Sequence, residues 1–278
     1  PMLQSSLLPL GLSFLLSGII RLLLGRHLGP RMANVAVGLS FLTLIFMVQG
    51  FMFPPASSTH KLPYLVIIAI LLGAACDAKA LTKRSQLLLF AGYLGAALWW
   101  LNQTRWHSAD NLLLLKVGAV YLLGIFIAAR LLALREQRLT PVWMLLFASA
   151  GLGVLALFGA SALLTTLGFV LAAALGGFAL WNWPKHRYPL GGGIIFAGVG
   201  GLILLTNQTL LLTQTSPIAL CLLLPLLLAN RLARPMVNRW QLKDAGRPLV
   251  ITLCCIIIVA ASVAVANYIS PISSDMGY

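Results

Sequence analysis

Apolar runs of about 18–24 residues, separated by short loops, follow one another from Leu7 to Tyr268. That is the length an α-helix needs to cross a bilayer and about twice what a barrel strand needs. A chain built this way cannot cover its apolar surface with polar groups in water. In a bilayer the requirement is different: each lipid-exposed backbone N–H and C=O must bond internally, which a helix achieves within its own segment. Composition agrees, with 60% hydrophobic residues, 9% charged residues and a mean hydropathy of +0.97, where a soluble domain carries roughly 25% charge. The expected fold is all-α: a polytopic integral membrane protein forming a single transmembrane domain over 1–278.

The pattern predicts ten transmembrane helices, near 7–25, 32–53, 63–78, 85–102, 112–134, 141–159, 163–183, 189–206, 209–230 and 248–268. Proline and glycine punctuate many of the gaps, at Gly29-Pro30, Pro54-Pro55, Pro141, Pro184, Pro189 and Pro248. Five helices followed by five would place the two halves in opposite orientations, as in an inverted repeat, although no sequence repeat is visible.

Basic residues divide sharply between alternate gaps. Arg21, Arg26 and Arg31, Lys79, Lys83 and Arg84, Arg130, Arg135 and Arg138, Lys185 and Arg187, and Arg231, Arg234, Arg239, Lys243 and Arg247 put sixteen cations at the odd gaps. The even gaps and the termini hold two, Lys61 and Arg105, and Lys116 lies within the fifth helix. Lys/Arg-rich loops stay in the cytoplasm, so odd gaps are expected there and both termini outside, in a plasma membrane of bacterial inner-membrane type. Trp99, Trp100 and Trp106 would mark the outer interface, and Trp143, Trp181, Trp183, Tyr188 and Trp240 the inner one. The stretch 231–247 reads as a basic cytoplasmic loop lying on the membrane surface. The net charge of +14 would suggest nucleic acid for a soluble protein. Dispersed over short loops, it points instead to anionic lipid head groups, and no nucleic-acid partner is expected.

Pro1 before Met2 reads as the remnant of a cleaved tag, and no basic stretch precedes the first apolar run as it would in a signal peptide. The four cysteines, Cys76, Cys221, Cys254 and Cys255, form no CxxC and read as small apolar residues. HExxH, GxSxG and clustered acidic motifs are absent from the sequence. His60 and His107 make a poor metal site, so neither metal nor cofactor is expected.

Ionisable and polar groups inside the spans carry the remaining functional signal. Lys116, about one turn below the outer surface, would attract an anion or simply snorkel upward on its stem. Arg21 can snorkel to lipid phosphate, and Asp77, beside Lys79, Lys83 and Arg84, reads as a local ion pair. The outer gaps PPASSTHKLPY and NQTRWHSAD bring His60, Lys61, Arg105, His107 and Asp110, an anion-binding mouth if they converge and separate solvated loops if they do not. Thr213, Gln214, Thr215 and Ser216 precede Pro217 in the ninth helix. Polar groups at a broken helix often build midplane transport sites, and the alternative is a helix that starts at Pro217 after a polar loop. Gln49 and Asn34 would add uncharged hydrogen-bonding groups. The Gly-rich PKHRYPLGGG could cradle a phosphate or let helices approach closely. The small residues of the sixth and seventh helices predict a tightly packed half.

Three functions follow. The first is a small carrier or facilitator for a small organic, anionic or lipid-linked solute, with Lys116, Gln214, Thr213, Thr215, Gln49, His60, Lys61, Arg105 and His107 as substrate-binding residues; it requires a polar cavity open to one side. The second is a non-catalytic subunit or assembly factor with a membrane-protein partner, which requires a dry bundle. The third is a membrane enzyme acting on lipid, which requires histidine and aspartate to converge.

Overall fold

A computed structural model describes residues 2–55, 57–108, 111–135, 140–183, 187–213, 215, 217–229 and 247–269. All regular structure among them is helical. The helices are α1 (Met2–Leu23), α2 (Gly25–Met32), α3 (Val35–Gln49), α4 (Leu62–Ala78), α5 (Lys83–Leu101), α6 (Asn111–Ala133), α7 (Thr140–Phe158), α8 (Ala162–Trp181), α9 (Ile194–Leu212), α10 (Pro217–Cys221) and α11 (Arg247–Ile269). Six are long and apolar enough to cross a membrane, seven when α2 and α3 are taken as one span bent by 51°. Of the basic loop 231–247, only Arg247 lies within the described residues.

Helix ends follow local chemistry. Thr82 caps α5 by accepting the Ser85 N–H at 3.3 Å, and Ser161 caps α8 by accepting the Leu164 N–H at 3.4 Å. The turns before these caps close α4 and α7 with Ala80 (φ 49°) and Ala160 (φ 57°) in the left-handed region. The Leu81 N–H donates to the Cys76 carbonyl and the Ser161 N–H to the Ala156 carbonyl, each at 3.1 Å, the pattern of a Schellman cap. Glycine adopts this conformation without a Cβ penalty. Ala80→Gly and Ala160→Gly are therefore each expected to raise stability by about 1 kcal/mol, read as a higher melting temperature in detergent; a fall at both positions would refute the strain argument.

α9 is the axis of the bundle. Its membrane-length stretch is 83% buried, against 28% for α6 and for α11, whose outer faces are exposed. It opens with a π-helical turn, Ile194–Val199, in which every residue is buried. Phe196 in that turn meets the Phe90 ring edge-on at 5.6 Å. Around this axis pack α3, α4, α5, α6, α7 and α8. α7 and α8 pack backbone to backbone, since a Cβ on Gly168 would stand 2.7 Å from Gly153 Cα.

The break between the eighth and ninth predicted helices falls elsewhere than the sequence suggested. Asn207 and Gln208, read as the gap between 189–206 and 209–230, lie inside α9 and are buried, as is Thr209 beside them. The helix ends at Leu212 and the next begins at Pro217. The polar run stays helical because its side chains find partners across the bundle, at Asn102 and Ser58.

Candidate functional site

The two ends of the bundle differ in chemistry. One gathers Arg21, Arg31, Asp77, Arg135, Arg187 and the start of α9. The other gathers Lys61, Trp100, Asn102, Arg105 and the end of α9.

At the basic end, Asp77 closes α4 and is 3% exposed. Its two carboxylate oxygens accept the Gly192 N–H at 2.6 Å and the Gly193 N–H at 3.1 Å. Arg31 and Arg135 lie near enough to act on its charge. These N–H groups belong to the first turn leading into α9, where helical donors lack partners within the helix and an anion is favoured. The glycine-rich segment is thus an anion cradle, and the anion is this chain's own carboxylate, 115 residues away. Beside it, the Asn34 amide donates to the carbonyls of Arg31 at 2.7 Å and Pro189 at 3.0 Å, tying the α2–α3 bend to the same segment. The local reading of Asp77 with Lys79, Lys83 and Arg84 did not contain these partners.

At the polar end, a cavity of about 460 Å³ is lined by Ser57, Ser58, Lys61, Trp100, Gln103 and Thr104 together with Pro55. Lys61 is 8% exposed. Its ammonium donates to the Trp100 carbonyl at 2.8 Å and lies 5.6 Å from the Trp100 ring centroid. Among the described residues the sole carboxylate is Asp77, at the far end of the same helix, about 24 Å away at 1.5 Å per residue. Lys61 also sits at the positive end of α4, where a cation is disfavoured and an anion favoured. The Ser58 hydroxyl donates to Gln208 Oε1 at 3.4 Å, while Gln208 Nε2, Asn207 Oδ1 and His60 Nδ1 are buried without a described partner.

The other predicted residues are distributed around this end. Arg105 donates to the Leu211 carbonyl at 3.0 Å, a cation at a helix C-terminus. Thr213 donates to the Thr209 carbonyl at 2.6 Å and pairs with the Thr215 hydroxyl at 2.7 Å, while Thr215 reaches the Leu155 carbonyl of α7 at 3.3 Å. The break therefore lies at the bundle end, its two described threonines tied to helix carbonyls; Gln214 and Ser216 lie outside the described residues. Gln49, at the end of α3, has both amide atoms buried and unpartnered among described groups. Lys116 is half-buried on α6 and does not line the cavity. His107 falls in the short helical stretch Gln103–Ser108, with its side chain outside the described residues, as is all of Asp110. Sequence reasoning missed Asn102, Asn207 and Gln208 as bundle-lining groups. The signal was the repeated Asn-Gln-Thr triplet at 102–104 and 207–209, whose two asparagines meet at 3.4 Å.

No group of three or more histidine, cysteine, aspartate or glutamate side chains converges among the described residues. The apolar helices fit the class of integral membrane proteins. No protein-family model, curated protein or solved structure matches the chain.

Proposed function

We propose that the chain is a small membrane carrier or facilitator for a small organic anion, admitted through the polar-end cavity. The observation that carries this reading is Lys61: a lysine about 8% exposed as a residue, at a helix N-terminus, lining a cavity, with no described carboxylate beside it. Buried charges are paired, and an anionic solute is the partner this geometry invites. Gln208, His60 and Ser58 supply uncharged hydrogen-bonding groups close by in the chain's packing. In this proposal the chain crosses an inner membrane of bacterial type ten times, with the bent α2–α3 pair as one crossing and α1, α5 and the α10 region as the others beyond the six apolar helices. The basic end faces the cytoplasm and anionic lipid, both termini lie outside, and the two five-helix halves run in opposite orientations.

The dry packing around α9 favours a second reading, a non-catalytic subunit held in a larger membrane assembly. One experiment separates the two. The melting temperature of the purified protein is measured against phosphate, sulfate and mono- and dicarboxylates. An anion that binds the native state at about 100 times its Kd stabilises by about 2.7 kcal/mol. We expect one anion class to raise the melting temperature, Lys61→Met to abolish the rise, and Lys116→Ala to retain it. A rise unchanged in Lys61→Met would overturn the site. No rise with any anion would favour the subunit reading.

A further inference from the structure

A second cavity, of about 800 Å³, opens at the basic end between α1 and α2. It arises from how the chain turns back on itself. Gly25, at φ 71°, breaks α1 from α2, and Gly29 sits so close to α1 that a Cβ there would stand 2.6 Å from the Arg21 carbonyl oxygen. α2 is thereby folded against the last turn of α1. The walls of the resulting groove are apolar, with Leu15, Ile19 and Leu22 lining it, all exposed on the outer face of α1. Its floor is rigid: Trp181 stacks on Phe14 with ring centroids 4.7 Å apart and donates its indole N–H to the Phe14 carbonyl at 2.7 Å.

The groove carries cations and no described anion. Arg21 and Arg26 line it. The Arg21 guanidinium is held 5.7 Å from the buried Tyr188 ring, and Arg187 lies 5.6 Å from the Trp181 ring. Asp77, the sole described carboxylate, is committed to Gly192 and Gly193. Guanidinium groups bind phosphate in fork geometry, and exposed apolar walls beside them suit an acyl chain. A free phosphate would use the arginines and leave the walls bare; a neutral lipid would use the walls and leave the arginines unpaired.

We propose that this groove holds one anionic phospholipid, its phosphate between Arg21 and Arg26 and an acyl chain along Leu15, Ile19 and Leu22. The site is independent of the anion-carrier reading, since groove and polar cavity lie at opposite ends of the bundle.

The test is native mass spectrometry of the detergent-purified chain offered equal amounts of phosphatidylglycerol and phosphatidylcholine with matched acyl chains. Retained lipid is expected to be mainly phosphatidylglycerol, with each arginine contributing about fivefold to the preference. The double variant Arg21→Gln/Arg26→Gln should bind the two lipids equally. Arg26→Gln alone, at an exposed residue, should lose about fivefold of the preference and serves if the double variant does not fold. Glycerol phosphate, the head group without a tail, should not displace the lipid. Equal retention by the parent chain would overturn the proposal. So would a preference that survives in the variants, which would assign the lipid to other basic segments, or displacement by glycerol phosphate, which would leave an anion site without a lipid.

Discussion

Gly192→Ala is expected to be among the most damaging single-methyl additions in the chain. A Cβ at Gly192 would stand 2.7 Å from the Gly73 carbonyl oxygen and 2.9 Å from Cys76 Cβ. Both belong to α4, and one is backbone, which cannot swing aside as a side-chain tip does. Gly73 is equally constrained from its side, with a hypothetical Cβ 2.9 Å from Gly193 Cα. Relief requires α4 and the start of α9 to separate, and that movement would stretch the two bonds from Gly192 and Gly193 to Asp77. Overpacking of this kind costs about 3 kcal/mol, with loss of the bonded contact added to it. The control is Gly92→Ala on the exposed face of α5, where a Cβ meets nothing within 4 Å. That change should be neutral or stabilising by up to about 1 kcal/mol through helix propensity. Comparable melting temperatures for the two variants in detergent would show that the α4–α9 contact is looser than described.

This contact marks the boundary of what the sequence could disclose. Helices predicted near 63–78, 85–102, 112–134, 141–159 and 163–183 lie within two residues of α4, α5, α6, α7 and α8. They were legible because local signals end them: Pro63, the Thr82 and Ser161 caps, and Pro141. The small residues of α7 and α8 likewise announced their close packing through Gly153 and Gly168. Partners distant along the chain left no comparable trace. Asp77 has three cations within seven residues in sequence, so a local reading prefers an ion pair, yet the bonds the structure shows run to glycines brought to it by the packing of α9 against α4.

The polar end shows the same division. Lys61 was picked out by charge alone, as the rare cation of an even gap. Its burial and its contact with Trp100 depend on α5 returning alongside α4, and neither is written in the local sequence. Asn207 and Gln208 were read as a loop because polar residues in an apolar chain look like a gap. The helix passes through them because Asn102 and Ser58 supply partners, and a helical backbone satisfies its own N–H and C=O groups whatever side chains it carries. The predicted break, with Thr213 and Thr215, belongs to the helix end rather than to a helix interior.

Asp77→Ala carries the second large effect. The substitution leaves the N–H groups of Gly192 and Gly193 without acceptors in a buried setting, where each unpaired donor costs about 1–3 kcal/mol and a bond to a charged acceptor contributes about 1.5–3 kcal/mol. The expected destabilisation is about 4 kcal/mol, enough to lower yield as well as melting temperature. Asp77→Asn should cost less, about 2 kcal/mol, because the amide oxygen still accepts one N–H while its NH₂ faces the other donor. The order parent, Asp77→Asn, Asp77→Ala in melting temperature tests the cradle directly; an Asp77→Asn variant as unstable as Asp77→Ala would mean that charge, not hydrogen bonding, dominates. The folded fraction of Asp77→Asn should still answer to anions through Lys61, because the two groups stand about 24 Å apart along one helix. Loss of that response would instead couple the two ends of the bundle, through α4 or through the central helix that both ends grip.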